Sequence, residues 1–517
     1  MPATPDGAPG SPSAPPAGPP VRPRSAPHRP LPELLDAVVG LTARGPVDGV
    51  SVSGCTLDSR AVQPGDLYAA LPGARAHGAD FVQQAADLGA AAVLTDQAGA
   101  DRAAATGLPV LVADDPRRVL GAVAGWVHDD PAADLLVLGV TGTNGKTTTA
   151  FLLEAGLRAA GHATGLVGTI CTRIGDDVLP SVRTTPEAPD LQALLAVMRE
   201  RGTTAVAMEV SSHALALGRV DGLVVDTALF TNLSQDHLDF HADMAEYEAA
   251  KAQLFTPARS RRAVVCVDDD AGRRIAAGAT VPVSTLSTTG AGADWRVTDV
   301  ELRGEGSTFT LTGAGRSVHG RVRLPGAFNV ANAALALAAL AESGVDLDRA
   351  ADGVAALDGV PGRMERVDAG QPFLAVVDYA HTPEAVTTLL ETVRSVTSGK
   401  VVVVLGCGGD RDAAKRPLMG AAARSGADVA ILTSDNPRSE DPLAILREMA
   451  AGAPGATVEP DRRVAIGLAV RAAGPGDAVV VAGKGHETGQ EVAGVVTPFD
   501  DREVLRTAIE QIAVGAP

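Results

Sequence analysis

Four short apolar runs in the last third of the chain each end in polar residues, and this repeat constrains the fold more than any other feature. The runs are FLAVVDYA, KVVVVLGCGGDRD, ADVAILTSDNPR and GDAVVVAGKGHE. Helical patterns follow three of them, at residues 383–396, 415–424 and 442–451. This alternation predicts a doubly wound parallel sheet, which binds ligands beyond the carboxyl ends of its strands. The polar residues at those ends are His381, Asp410, Arg411 and residues 435–438 and 484–487.

The third run breaks into an unusual turn, SDNPR, at residues 434–438. Asn-Pro is an ordinary turn dipeptide, but here an acid, an amide and an arginine stand side by side. Two interpretations fit these residues. The turn is either a solvated loop or a clamp for a small ligand that carries both an ammonium and a carboxylate group.

A glycine loop, GVTGTNGKTTT, stands between a predicted strand at residues 135–140 and a predicted helix at residues 146–160. Val140 replaces the first glycine of the strict phosphate-loop pattern, so only the shorter form from Gly142 to Thr147 remains. Its glycines, lysine and threonine still suit phosphate and Mg²⁺ binding at a helix N-terminus. The alternative is a glycine turn that merely caps the helix.

Two further predicted strands end in candidate metal ligands. MEVSSHAL places Glu209 at one strand end, and NLSQDHLDFH places Asp236 and His237 at the next. A carboxylate suits the oxygen preference of Mg²⁺. A histidine is a less usual Mg²⁺ ligand, so His237 taken alone is better explained as a structural hydrogen-bonding residue.

Lys251 lies on the apolar face of a predicted helix that begins with a capping-box-like Asp243 and Glu246. A charged lysine on such a face is costly. Periodicity alone favours a snorkelling side chain or a pair with Glu248. The alternative is a lysine whose pKa is lowered by burial, leaving an amine that can react with CO₂ to form an anionic carbamate.

Composition limits the partners of the chain. Its 517 residues carry a formal net charge of -18, which argues against nucleic-acid or anionic-membrane binding, because both need basic surface. Four scattered cysteines without a CxxC pair indicate free thiols in a reducing compartment. There is no apolar run of about 20 residues to span a bilayer and no signal-peptide core. We therefore expect a cytoplasmic protein without membrane insertion. We also expect a monomer.

Composition marks a tail, and the alternation of predicted strands and helices divides the rest of the chain into three α/β domains. Residues 1–30 are rich in proline, alanine, glycine and serine, which predicts a disordered tail. The domains are predicted at residues 31–133, 134–366 and 367–517.

Taken together, the motifs resemble those of the Mur ligases, the ATP-dependent amide-bond enzymes of peptidoglycan precursor synthesis. The matching segments are TGTNGKTTT, MEVSSHAL, NLSQDHLDFH, YEAAKAQLF, PGAFNVANAALA, GRME, DYAHTPE and SDNPR. Their order and spacing match from about residue 50 to the end. The resemblance implies an α/β protein with a UDP-sugar domain, a central P-loop ATPase-like domain with a parallel or mixed sheet, and a C-terminal Rossmann-like doubly wound domain.

The resemblance also implies roles for the residues around the glycine loop. Lys146, Glu209, His237 and Lys251 would be catalytic. Thr147 and Glu209 would hold one Mg²⁺, and His237 with carbamylated Lys251 would hold a second. The implied ATP-binding residues are Thr141, Gly142, Thr143, Asn144, Gly145, Lys146, Thr147, Asn329, Arg363 and His381.

Two further substrates follow from the resemblance. The residues implied for UDP-MurNAc-L-Ala-D-Glu are Leu57, Ser59, Ala74, Arg75, Ala76, Thr184, Thr185, Ser211 and Arg219. Leu217 departs from the pattern, because some relatives carry a substrate-binding glutamine there. SDNPR resembles the diaminopimelate-adding type. The residues implied for meso-diaminopimelate are Arg411, Asp435, Asn436, Pro437, Arg438, Gly483 and Glu487.

The implied reaction is ATP-dependent addition of meso-diaminopimelate to the D-glutamate γ-carboxylate, through an acyl phosphate. An L-lysine-adding relative and a ligase similar to folylpolyglutamate synthase remain as alternatives. No general base is evident from the sequence. His213 and Asp378 are candidates, and each is as readily explained as a supporting hydrogen-bonding residue.

Overall fold

The structure is a computed structural model that describes residues 21–73, 76–290 and 292–515. Three large sheets follow one another along the chain, with five, eleven and six strands. No helix in these described ranges is long and apolar enough to cross a membrane.

The first sheet lies in the N-terminal part of the chain. Its strand order is β2-β7-β6-β5-β4, and β1 and β3 form a separate two-stranded sheet. The strands are β1 Arg29–Pro30, β2 Thr42–Arg44, β3 Ser51–Val52, β4 Gly54–Thr56, β5 Asp66–Ala69, β6 Ala92–Thr95 and β7 Val110–Val112. The helices are α1 Leu31–Ala37, α2 Val82–Asp87, α3 Gln97–Ala103 and α4 Pro116–Val127.

Residues 21–30 are ordered by contacts with distant parts of the chain, contrary to the expectation of a disordered tail up to residue 30. The Arg22 guanidinium donates to both carboxylate oxygens of Asp66, at 3.0 and 2.8 Å. The backbone amides of Arg24 and Ser25 donate to the carboxylate of Glu200. Asp66 belongs to the first sheet and Glu200 to the central part, so specific charge pairing orders a segment whose composition suggested disorder. The rest of the predicted tail, residues 1–20, lies outside the described residues.

The central sheet is mixed, as the resemblance implied, with the order β11-β10-β9-β12-β8-β13-β14-β15-β16-β17-β18. The seven central strands, β9-β12-β8-β13-β14-β15-β16, pair with their neighbours in parallel. The outer pairs, β11 with β10, β10 with β9, β16 with β17 and β17 with β18, are antiparallel. The strands are β8 Leu136–Thr141, β9 Thr164–Val167, β10 Cys171–Ile174, β11 Asp177–Pro180, β12 Ala205–Glu209, β13 Val225–Phe230, β14 Ser260–Cys266, β15 Val283–Ser287, β16 Trp295–Arg303, β17 Gly306–Gly313 and β18 Arg316–Val322. The helices are α5 Lys146–Ala159, α6 Ala188–Glu200, α7 Ser212–Ala216, α8 Met244–Ala252, α9 Asp270–Gly278, α10 Ala327–Glu342 and α11 Leu347–Ala356.

The C-terminal sheet has the order β19-β20-β24-β21-β22-β23, and every pair except β19 with β20 is parallel. The four apolar runs of the sequence are β20, β21, β22 and β24, as predicted. The strands are β19 Glu365–Arg366, β20 Leu374–Asp378, β21 Val401–Leu405, β22 Val429–Leu432, β23 Thr457–Val458, β24 Ala478–Ala482, β25 Gly489–Val492 and β26 Val495–Pro498. The helices are α12 Pro383–Ser395, α13 Lys415–Gly426, α14 Pro442–Ala451, α15 Arg462–Ala472 and α16 Asp501–Gly515.

Helices cover both faces of the C-terminal sheet, which confirms the doubly wound prediction. Val401 and Val403 of β21 pack in one core with α12, α13 and α14. Val402 and Val404 pack in a second core with α15 and α16. Alternate residues of a strand point to opposite faces, so a strand buried on both sides reads as a continuous apolar run.

Candidate functional site

The glycine loop lies where three neighbouring parallel strands end. Strand β8 runs directly into it, with β12 on one side and β13 on the other. The register pairs Glu209 with Val140 and Phe230 with Thr141, so the three strands end at nearly the same level. Parallel pairing therefore gathers Thr147, Glu209 and the segment after Phe230 at one edge of the sheet.

Two glycines of the loop adopt backbone conformations that favour glycine. Gly142 has φ 144° and Gly145 has φ 86°. A Cβ atom at Gly142 would collide with Thr231, and one at Gly145 would collide with Asn332. The loop thus folds tightly over the N-terminus of α5, where backbone N–H groups and the helix dipole favour an anion.

Two lysines meet at the loop from different elements. Lys146 begins α5, and its ammonium donates to the carbonyl oxygens of Gly142 and Thr143, at 3.0 and 2.9 Å. Lys251 comes from α8, and its ammonium donates to the same Gly142 oxygen at 2.8 Å. Burial lowers the pKa of both lysines, and for Lys251, which is lowered well below its usual range, the nearby Lys146 charge adds to the effect.

The structure excludes the snorkelling and Glu248-pairing explanations of Lys251. Its side chain is buried and lies 4.3 Å over the Tyr247 ring, so it does not snorkel. Glu248 pairs with Arg274 instead. The helix start is nearly as predicted: Asp243 caps the amide of Glu246, whereas the Glu246 carboxylate accepts from Ala242 rather than from Asp243.

Glu209 is buried and accepts three hydrogen bonds. The Thr147 and Thr169 hydroxyl groups both donate to its Oε2 at 3.0 Å, and the Thr169 amide donates to its Oε1 at 2.8 Å. Arg363 reaches the Thr147 hydroxyl at 3.2 Å. A carboxylate, a hydroxyl and a guanidinium thus lie together beside the glycine loop.

His237 and His381 both lie beside the Asp236 carboxylate, at 3.4 and 3.7 Å. Burial lowers the pKa of His237 to about 3, so its imidazole is neutral and has a lone pair to offer. Burial alone would raise the pKa of Asp236, but the adjacent His381 and the Lys415 charge lower it. His237 also has φ 57°, an uncommon backbone conformation that tends to occur at functional sites.

The residues implied for the UDP-linked substrate form two groups. In the first sheet region, the Ser59 hydroxyl donates to Gln84 Oε1 at 2.8 Å, and Leu57 packs on the core. The backbone carbonyl of Ala76 accepts from the Gly73 amide, whereas Ala74 and Arg75 lie outside the described residues.

The second group lies beside the glycine loop. Thr185 donates to the backbone carbonyl of Glu209 and accepts from the Ser211 amide, and the Thr184 hydroxyl lies 2.9 Å from that of Thr169. Arg219 pairs with Glu187 at 2.8 Å. At Leu217, where some relatives carry a glutamine, the backbone carbonyl accepts a hydrogen bond from Arg117.

The SDNPR turn follows β22, next to the ends of β21 and β24. Arg438 has φ 53° and is held by backbone hydrogen bonds to Glu491 and Ala493, in the hairpin of β25 and β26. Its guanidinium donates to the Gly409 carbonyl at 2.7 Å. Asn436 donates to Glu487 at 2.8 Å, and the backbone carbonyl of Asp435 accepts from Gln490. The turn is therefore held by internal hydrogen bonds and is not a solvated loop.

Comparison with known proteins supports the resemblance along the whole site. Family models match three segments: the Mur ligase family catalytic domain at residues 51–125, the Mur ligase middle domain at residues 140–340, and the Mur ligase glutamate ligase domain at residues 362–485. A relative from Streptomyces coelicolor is 61% identical over 93% of this chain and 96% of its own length. The chain belongs to the Mur ligase family.

Two further relatives carry the same name as the Streptomyces coelicolor protein, UDP-N-acetylmuramoyl-L-alanyl-D-glutamate--2,6-diaminopimelate ligase. A Corynebacterium glutamicum relative is 48% identical to this Mur ligase over 93% of the chain and 97% of its own length. A solved structure superposes with a TM-score of 0.67 at 34% identity, covering 94% of this chain and 99% of that one.

Several contacts of this Mur ligase were not predicted from the sequence. The glycine loop rests on residues that follow β13: Thr231 and Asn232 donate to the Asn144 carbonyl, and Ser234 accepts from the Asn144 amide group. Asn332 lies against Gly145, whereas the predicted Asn329 donates to the Pro325 carbonyl and accepts from the Asn332 amide group. Asn232 and Ser234 stand in the quoted NLS motif, so their polarity was a usable signal.

The two candidate bases of this Mur ligase differ in their surroundings. Both carboxylate oxygens of Asp378 accept backbone amides, from Met364 and Ala380, each at 2.7 Å. Asp378 thus fixes the turn that presents Arg363 to Thr147. His213 stacks against Phe240, with ring centroids 4.2 Å apart, and burial lowers its pKa to about 4.

Arg411, one of the residues implied for diaminopimelate, lies 3.5 Å from Asp239 of the central part.

Proposed function

We propose that the chain is an ATP-dependent ligase that joins meso-diaminopimelate to the D-glutamate γ-carboxylate of UDP-MurNAc-L-Ala-D-Glu. The observation that carries this proposal is 61% identity to a ligase named for that reaction, over nearly the whole chain. The glycine loop and the SDNPR turn, both in place, support it. We also propose three domains with boundaries near residues 133 and 366.

The first half of the reaction is transfer of the ATP γ-phosphoryl group to the γ-carboxylate, giving an acyl phosphate and ADP. Loop amides from residues 141–147 would cradle the ATP phosphates, with Lys146 neutralising their charge. Arg363 and His381 would approach the nucleotide from the C-terminal side, and Asn329 with Asn332 from α10. This arrangement would neutralise charge on the transferring phosphoryl oxygens.

The donors beside the loop fit divalent metal ions held partly by substrate. Mg²⁺ is commonly bound by one or two carboxylates together with substrate phosphates. Among the described residues no three His, Cys, Asp or Glu side chains gather as a protein-only metal cage. Thr147 and Glu209 would hold one Mg²⁺, and His237 with a carbamate on Lys251 would hold a second. The bound ions would neutralise charge on the phosphoryl oxygens.

Lys251 fits carbamate formation. Only the neutral amine reacts with CO₂, and burial beside Lys146 lowers its pKa well below the usual lysine range. The product is an anion, which the adjacent Lys146 ammonium would stabilise. Lys146, Glu209, His237 and Lys251 are therefore the proposed catalytic group.

In the second half, an amine of diaminopimelate attacks the acyl phosphate and the tetrahedral intermediate expels phosphate. Arg438 would grip the distal carboxylate, which lysine lacks, in a bidentate fork. The other proposed contacts are Arg411, Asp435, Asn436, Pro437, Gly483 and Glu487. Leu57, Ser59 and residues 74–76 would hold the uridine diphosphate, and Thr184, Thr185, Ser211 and Arg219 the muramoyl dipeptide.

A coupled phosphate-release assay tests the proposal. Purified protein with UDP-MurNAc-L-Ala-D-Glu, Mg²⁺ and ATP should release phosphate only when meso-diaminopimelate is added. L-lysine serves as the matched amino acid without the distal carboxylate, and a Lys146→Ala variant serves as the inactive control. Equal turnover with lysine would overturn the amino-acid assignment, and turnover without the UDP substrate would overturn the ligase assignment.

A further inference from the structure

Lys484 is a buried cation at the edge of the proposed amino-acid clamp. It lies two residues beyond the end of β24, and none of its side chain is exposed. Its ammonium donates to three acceptors: Asn436 Oδ1 at 3.1 Å, Glu487 Oε2 at 3.0 Å and the Gly489 carbonyl at 2.6 Å. An ammonium has three N–H donors, so these partners satisfy it completely. Lys484 therefore has no donor left for a ligand.

The contacts of Lys484 fix the orientation of the Asn436 amide. Asn436 Oδ1 accepts from the Lys484 ammonium and also from the Glu491 backbone amide, at 3.0 Å. Two donors converge on this atom, so it must be the oxygen, because a flipped amide would set N–H groups against N–H groups. The Asn436 NH₂ group is thereby directed to Glu487 Oε2, at 2.8 Å.

The same network leaves one face of Glu487 for a ligand. Lys484 and Asn436 both donate to Oε2 of Glu487, and this side chain remains about one-third exposed. In the described part of the chain, no protein hydrogen bond engages Oε1. Among the described residues, Oε1 and the second N–H of Asn436 have no protein partner, which leaves one acceptor suited to an ammonium and one donor suited to a carboxylate.

We propose that Lys484 is a positioning residue for the incoming amino acid, which acts by fixing the Asn436 amide and the Glu487 carboxylate. This inference rests on the proposed function, because it assigns those two side chains to amino-acid binding. Lys484 itself does not touch the substrate. Its buried charge selects one arrangement of the two groups that do, since a half-satisfied buried polar network is costly.

The test measures KM for each of the three substrates in Lys484→Met and Lys484→Gln variants. Methionine removes every donor, whereas glutamine keeps two donors without the charge. We expect KM for diaminopimelate to rise about 10- to 100-fold in Lys484→Met, the scale for loss of a supporting contact. We expect a smaller rise in Lys484→Gln. KM for ATP and for the UDP substrate should stay within about 2-fold, because their proposed sites lie on other elements.

Lys400 is the matched control. It also belongs to the C-terminal sheet region, but it directly precedes β21 and so lies at the amino end of that strand, whereas the proposed clamp lies at the carboxyl ends. Its half-exposed side chain pairs with Asp477. Lys400→Met should leave all three KM values unchanged. A double-mutant cycle adds a second readout. If Lys484 acts through Glu487, the diaminopimelate KM of the double variant Lys484→Met, Glu487→Gln will rise by less than the product of the two single-variant increases.

Three outcomes would overturn the inference: equal KM increases for all three substrates, effects that multiply in the cycle, or loss of the folded circular dichroism spectrum in both variants. The last would make Lys484 a stability residue. KM is measured for whichever amino acid the wild-type protein uses. A wrong substrate assignment would therefore appear in the wild-type data and leave the Lys484 comparison intact.

Discussion

Lys146 and Lys251 donate to the same oxygen atom, the backbone carbonyl of Gly142, from the N-terminus of α5 and from within α8. Two ammonium groups this close repel each other, so one is favoured in its neutral form. Lys251 is the more deeply buried of the two, and the Lys146 charge contributes to its lowered pKa. Of the two lysines, Lys251 is the one whose pKa is lowered well below its usual range, as the proposed carbamate requires.

Lys251→Ala should lower kcat by at least about 100-fold, because it removes the proposed carbamate ligand. Short carboxylic acids such as acetate should partly restore activity by occupying the space of the lost side chain. The measurement is phosphate release as a function of added acid. Glu248→Ala on the same helix is the control, since Glu248 pairs with Arg274 on the outer side. No restoration at any acid concentration would argue against the carbamate.

Arg438→Ala should weaken selection for diaminopimelate over lysine. A site built to bind a charged substrate group rejects analogues without that group by roughly 10⁴-fold in kcat/KM. The variant should lose most of this preference, because its KM for diaminopimelate rises. The measurement is kcat/KM for both amino acids. Arg447→Ala is the control, because this exposed arginine of α14 pairs only with Asp441 among the described residues. An unchanged ratio in Arg438→Ala would remove the arginine from the selector.

Arg363→Ala should impair phosphoryl transfer without unfolding the protein. Its guanidinium reaches Thr147 and lies 4.3 Å over the Tyr379 ring, so it links the C-terminal part to the ATP loop. We expect kcat to fall about 10²- to 10³-fold, as for loss of one charge-stabilising donor. Steady-state kinetics with varied ATP and a thermal melt give the two readouts. A large drop in melting temperature with normal kcat would contradict this assignment.

Arg22→Ala should destabilise the fold by roughly 1–3 kcal/mol at neutral pH, because it leaves the buried Asp66 carboxylate short of its main partner. Burial raises the pKa of Asp66 above its ordinary 3.8, although the Arg22 charge opposes this. The folded state therefore binds the proton more tightly than the unfolded chain does, and the ionised group costs stability above its folded pKa. The loss caused by Arg22→Ala should shrink as the pH falls through that pKa.

Urea unfolding at several pH values measures the Arg22 effect. Arg60→Ala is the matched control, since its pair with Asp58 is largely exposed and such pairs contribute little. A loss that stays constant from neutral to acidic pH would contradict the assignment to Asp66.

The sequence predicted those parts of the site that depend on strand periodicity. The apolar run that ends at Val140 became β8, and the parallel neighbours of β8 brought Glu209 to the glycine loop. The burial of Lys251 was not decided by periodicity, because its partner, the Gly142 carbonyl, lies 109 residues away in the chain. Residues 21–30 were misjudged for the same reason: their composition favours disorder, and the distant Asp66 and Glu200 supply the order.

The amino-acid clamp and the phosphate loop stand on different sheets. Every proposed clamp residue lies between positions 411 and 487, within one contiguous stretch of the gene, whereas the phosphate loop and its metal donors lie between positions 141 and 251. On the proposed assignments, exchange of that single stretch between related genes would change the amino-acid site while keeping the phosphate loop and its proposed metal donors. Cell-wall composition in a lineage could then change by recombination at one locus rather than by stepwise mutation across the whole enzyme.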